Sequence, residues 1–211
     1  MAADVMIGYL HGQSVDGAFH DSLVSLLLGP DKGRVAGVVS IETGPVIEKA
    51  RNQLALTFRQ SGAKWLLALD ADMVFTPELI TQMMRHASGK RIVGALCFGW
   101  TGTEAWPTMY DEKFDVMHDW TPGDLVPVGG TGAACLMIPR TVFQQIEGPW
   151  YKTATGEVGE DLYFCRLARE HGFEVCVDTS IVVGHAKRAV ITDRHYHRDV
   201  RENGAPVLTR R

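Results

Sequence analysis

Residues 65 to 69, Trp-Leu-Leu-Ala-Leu, are five apolar side chains in a row, and they run into two aspartates, Asp70 and Asp72, one residue apart. A strand that is apolar on both faces must be covered on both faces, so this run reads as a central strand. The flanking segments agree. Residues 4–10, 34–42 and 91–97 read as further strands, and 21–29, 44–62 and 76–89 as helices. In 44–62, Pro45 stands near the start and Gly62 at the stop, while Val46, Ile47, Ala50, Leu54 and Phe58 form one apolar stripe. Thr76 and Pro77 read as the cap and first residue of helix 76–89. This alternation predicts an α/β fold, a mostly parallel central sheet with helices on both faces.

The second half reads differently. Residues 98–130 are rich in Gly, Trp, Pro, Thr and Asp without clear periodicity, and are expected to form loops and a small mixed sheet over one edge. Residues 131–140 then read as a strand, 140–148 as a short helix, 159–173 as a helix and 174–185 as final strand segments. With 211 residues the chain suits one domain with an appended tail, assigned as 1–185 and 186–211. From Lys187 onward seven basic residues face three acids, a net +4, which leaves −8 for the rest. The overall −4 argues against a general polyanion binder. The four cysteines, Cys97, Cys135, Cys165 and Cys176, lie dispersed in apolar stretches without a C-x-x-C pair, which suits reduced, buried thiols. No leader is visible and no apolar run reaches the roughly 20 residues that a bilayer requires. The expectation is a soluble protein without a membrane partner, in the cytoplasm (the host's, if viral).

In a parallel sheet, ligands bind beyond the carboxyl ends of the strands, where Asp70-Ala71-Asp72 stands. Side chains two apart on an extended chain share a face, so both carboxylates can converge on a divalent cation that bridges to a diphosphate. Taken in isolation, the pattern suits turn and helix caps better. Glu160 and Asp161 fall in the first turn of a helix, where the dipole favours acids; a cleft-facing carboxylate there would instead accept a proton from a hydroxyl. His185 is either a surface residue or an imidazole ligand beside Asp72, which would favour Mn²⁺ over Mg²⁺. Arg51 and Asn52 can be a solvated helix face, and Tyr9 and His11 a plain turn or a nucleobase seat. Trp100 and Trp106 suit loop anchors or a sugar platform. His195-Tyr196-His197 reads as polar tail and Met83-Met84 as core.

Taken in order, "ARNQL", D-A-D, "GGTGAACLMIPR", "GEDLYFCRLAREHGFEVCVDTS" and "VVGH" resemble the GT-A-type glycosyltransferases, most of all the small bacterial and phage members of the family-2-like group. The resemblance runs from about residue 3 to His185. It implies Asp70 near the ribose or diphosphate, Asp72 and His185 as metal ligands, and Asp161 as catalytic base beside Glu160. It further implies Arg51 and its neighbour Asn52 near the nucleotide, and Gly130, Thr131 and Gly132 along the donor sugar and acceptor. No Q-x-x-R-W follows the acidic pair, which points to transfer of a single sugar. The activity implied uses Mn²⁺ or Mg²⁺ to move a sugar from a nucleotide-diphosphate donor to an acceptor hydroxyl with inversion. The acceptor is a glycan, a protein side chain or a hydroxylated nucleic-acid base. A non-catalytic sugar-nucleotide or glycan-binding module is the alternative. A nucleotidyltransferase ranks lower, because "LHGQSVDG" after the first strand has glycines but no basic residue.

Overall fold

The structure, a computed structural model, describes residues 3–102, 104–153 and 158–187. In chain order the elements are β1 (Val5–His11), α1 (Gly17–Leu28), β2 (Val35–Glu42), α2 (Ile47–Gln60), β3 (Trp65–Asp70), β4 (Met73–Val74), α3 (Leu79–Met84), β5 (Arg91–Leu96) and β6 (Phe98–Trp100). They continue with β7 (Ala105–Pro107), β8 (Met109–Tyr110), β9 (Leu125–Pro127), β10 (Gly130–Thr131), β11 (Cys135–Pro139), α4 (Arg140–Gln145), α5 (Glu160–Glu170), β12 (Glu174–Val182) and β13 (Gly184–His185).

A seven-stranded sheet in the order β2-β1-β3-β11-β5-β12-β9 is the frame. Strands β2, β1 and β3 run parallel, as do β5 and β12, while β11 and β9 run against their neighbours. Three two-stranded ribbons, β10-β8, β13-β4 and β6-β7, sit beside it. The apolar run at 65–69 lies near the centre, and its side chains alternate between two cores. Leu66 and Ala68 join α2, α4 and α5 through Leu54, Phe58, Phe143 and Phe164. Leu67 and Leu69 join α1 and α3 through Phe19, Leu26, Ile80 and Met83. Helix α2 packs so near β1 that a Cβ at Gly8 would run into the Leu54 side chain. The expected layered α/β architecture is the one observed.

Several details depart from the sequence reading. The reversed strand β11 is inserted in mid-sheet between β3 and β5. The expected strand 131–140 is two, because Gly130–Thr131 pairs with β8 before the chain turns into β11. The helix expected over 76–89 shrinks to Leu79–Met84, and Thr76 does not cap it. Its early amide at Thr81 is capped instead by Asp31, a buried carboxylate 50 residues earlier that also accepts from the Thr81 hydroxyl. Helix α1 begins earlier than expected because Asp16 caps it, accepting from Ala18 N at 2.9 Å. All four cysteines are free and buried. Among the described residues no helix is long and apolar enough to cross a membrane. Of the tail, only Ala186 and Lys187 are described; His195-Tyr196-His197 lies outside the described residues.

Candidate active site

The carboxyl ends of β1 and β3 open onto a cleft of about 420 Å³ lined by His11, Ser14, Thr43, Asp70, Asp72 and Lys187 among others. Asp70 closes β3, its amide donating to Ala134 O at 3.0 Å, and Ala71 N extends the ladder to Leu10 O at 2.9 Å. The chain then turns through Asp72 into β4, which pairs antiparallel with β13 so that Met73 lies opposite His185. Ala186 N donates to Asp72 O at 2.8 Å. A short ribbon therefore brings together Asp72 and His185, 113 residues apart, with Nε2 standing 2.9 Å from Asp72 Oδ2.

The other ring nitrogen decides what that contact is for. His185 Nδ1 lies 2.9 Å from Phe98 O, and a carbonyl only accepts, so Nδ1 carries the proton. In the neutral ring Nε2 then turns its lone pair toward the Asp72 carboxylate, a contact that either a proton on Nε2 or a shared cation makes favourable. Ligand atoms at about 2.1 Å from an octahedral ion and at right angles to each other stand about 3.0 Å apart. The observed 2.9 Å fits that separation, and the Phe98 carbonyl supplies the orienting hydrogen bond that ligating histidines have. Among the described residues no three of His, Cys, Asp and Glu gather into a self-sufficient cage. Asp72 and His185 offer one carboxylate and one imidazole, ligand types that Mn²⁺ and Mg²⁺ accept. Lys187 Nζ also reaches Asp72 Oδ2, at 2.9 Å.

Behind this pair lies a buried charge cluster. Arg51, 7 % exposed on α2, donates from Nε to Glu160 Oε1 at 3.0 Å, from Nη2 to Asp70 Oδ2 at 3.4 Å and from Nη1 to Ala133 O at 3.3 Å. Burial opposes its charge, but Asp70, Tyr151 and Glu160 more than offset that and strengthen its hold on the proton. Asp70 Oδ1 is buried without a hydrogen bond and meets Nη1 at 3.3 Å as an ion pair only. Burial raises the Asp70 pKa, against the pull of Arg51. Asp161 follows Glu160 in the first turn of α5, with Oδ1 accepting from Leu162 N at 2.8 Å. Burial, and then the neighbouring Glu160, raise the pKa of Asp161, which makes it a better proton acceptor than an ordinary aspartate.

The remaining expected residues take supporting positions. Asn52 spends its amide on the 150–151 loop: Oδ1 accepts from Trp150 N and Tyr151 N, and Nδ2 donates to Glu48 O and Tyr151 O. Tyr9, half-buried, packs on Phe19 and His11 with ring centroids 5.1 and 5.9 Å away. Gly130 and Thr131 lie beneath α5; a Cβ at Gly130 would meet Leu162 at 2.7 Å, and the Thr131 hydroxyl donates to Thr108 O at 2.8 Å. Gly132 N reaches Thr108 O at 3.3 Å. None of these lines the cleft; they hold the elements that carry Asp161 and Arg51. Ser14, Asp16 and Thr43 line it without having been expected there, and Lys187 lines it from the start of the basic tail. The glycine-bearing loop after the first strand was the available signal for Ser14 and Asp16. For Lys187 there was none beyond the basic tail.

No known family profile matches the chain, and no curated protein does either. Solved structures do match. A197 from STIV superposes with a TM-score of 0.62 at 17 % identity, covering 88 % of this chain and 86 % of that one. GalNAc-T7, solved with UDP, GalNAc and Mn²⁺, superposes with a TM-score of 0.62 at 12 % identity, covering 95 % of this chain and 48 % of that one. The chain thus spans about half the length of GalNAc-T7. At these identities the likeness concerns architecture, and the architecture is that of the GT-A glycosyltransferases.

Proposed function

We propose that this GT-A chain is a metal-dependent glycosyltransferase that moves one sugar from a nucleotide-diphosphate donor to an acceptor hydroxyl. The observation that carries the reading is the Asp72–His185 pair, 2.9 Å apart, in which Asp72 lines the cleft and the second ring nitrogen of His185 is committed to Phe98 O. Asp72 and His185 would hold Mn²⁺ or Mg²⁺, and the bound ion would neutralise charge on the departing diphosphate. Asp70, held by Arg51, lines the cleft and would border the nucleotide there. Glu160 positions Arg51, and burial together with the Glu160 charge raises the Asp161 pKa. Asp161 takes the proton from the acceptor hydroxyl as that oxygen attacks the anomeric carbon from the face opposite the leaving group, which inverts the centre. We place the chain with the family-2-like, single-transfer group, with residues 1–185 as the catalytic domain, 186–211 as an appended basic tail, and the cytoplasm as its compartment. The acceptor class is a glycan, a protein side chain or a hydroxylated nucleic-acid base.

The test is calorimetric titration with UDP, GDP and CMP, with and without Mn²⁺, on the native protein and on Asp72→Ala. Mn²⁺-dependent binding of one nucleotide, lost in the variant, is expected; binding indifferent to both would overturn the reading. A non-catalytic sugar-nucleotide module is the competing reading, and Asp161→Asn separates the two. Donor binding survives this change in either case, whereas loss of sugar transfer is a property of the enzyme alone.

A further inference from the structure

We propose that Lys187 gives up Asp72 to the incoming metal and then binds the donor diphosphate, which couples the two ligands. This rests on the glycosyltransferase reading and deepens it. The Lys187 ammonium and His185 Nε2 each stand 2.9 Å from the same oxygen, Asp72 Oδ2. An ion held by Asp72 and His185 therefore needs an oxygen that Lys187 already engages, and it brings a like charge beside the ammonium.

The cleft's own charges supply the second half of the argument. Its described lining carries three carboxylates, Asp16, Asp70 and Asp72, and Lys187 is the one Lys or Arg among those lining residues. Arg51 is not on that wall and is committed to Asp70 and Glu160. A diphosphate meets a net negative surface there, with its single ammonium held by Asp72. A divalent ion at Asp72 and His185 removes both obstacles, because it offsets the carboxylates and frees the ammonium. Lys187 has room to follow. It is 37 % exposed, on a four-carbon stem, and lines both the cleft and a second hollow of about 340 Å³ against Phe98, Trp100 and Ala105. With metal alone the ammonium loses a partner; with metal and diphosphate together it exchanges a carboxylate for phosphate oxygens. Metal and nucleotide thus reinforce one another, each raising the other's affinity by the same factor.

The test is Mn²⁺ uptake, followed by electron paramagnetic resonance, on the full native chain and on Lys187→Gln, each with and without UDP, GDP or CMP. Lys187→Gln is expected to bind Mn²⁺ alone about tenfold more tightly, and nucleotide in the presence of Mn²⁺ about tenfold more weakly. The two affinities must move in opposite directions, which a merely structural lysine would not cause. Affinities that move together, or not at all, overturn the proposal and leave the glycosyltransferase reading standing. A native protein that binds none of the three nucleotides with Mn²⁺ overturns both.

Discussion

Arg51 is buried between two half-buried carboxylates, Asp70 and Glu160, and its guanidinium offsets the charge of both. Arg51→Met keeps the apolar stem and removes that charge, so it is expected to lower stability by about 3 kcal/mol, read from the denaturant midpoint. Adding Glu160→Gln should restore part of the loss, because one of the two stranded charges is then gone. Asp161 behaves in the opposite sense. With its pKa raised in the fold, it contributes stability that is fully present below the ordinary aspartate range and lost as pH rises through the raised value. At neutral pH the ionised side chain is therefore a cost. Asp161→Asn keeps an oxygen for Leu162 N and should melt at a higher temperature than native protein at pH 7, the gain shrinking toward pH 4. The same shift makes transfer by the native protein rise with pH through the raised value, since the base must be ionised to accept the acceptor proton.

Among the elements, the glycine pair at the start of β10, Gly129 and Gly130, sets how closely α5 and the 109–114 segment approach the sheet. A Cβ at Gly129 would intrude on the Asp111 carbonyl, a backbone atom that cannot turn aside. Gly129→Ala is expected to cost about 3 kcal/mol in denaturant unfolding. At Gly130 the obstacle is the end of the flexible Leu162 side chain, so Gly130→Ala should cost less but shift α5 and with it Asp161. The strand–helix alternation was legible because apolar runs and helical stripes are local signals, and Leu66 to Leu69 do divide between two cores. The direction of β11 was not: Cys135 to Pro139 are buried throughout, and a run with no polar face carries no mark of which way it lies. Nor was the length of α3, whose amide cap comes from Asp31 in a distant turn. At the site, Asp72 and His185 were readable as chemistry-bearing types. The depth of Arg51 was not, since a charged residue on a helix stripe looks solvated until its partners from β3 and α5 arrive.

At the scale of the molecule, the cleft stands at the carboxyl ends of β1 and β3, where the parallel half of the sheet ends. A ligand there binds only the folded chain, so metal and nucleotide act on global stability. With both present at about 100 times the dissociation constant, unfolding should become harder by about 2.7 kcal/mol, visible as a rise in melting temperature. Either component alone should give much less, and Asp72→Ala should abolish the rise. The β4–β13 ribbon has a consequence in time as well. Asp72 is made early and His185 late, 113 residues further on, so six of the seven main-sheet strands are synthesised before β12 leads into the second half of the pair. The order of biosynthesis therefore keeps a growing chain from joining Asp72 to His185 until its scaffold is all but complete.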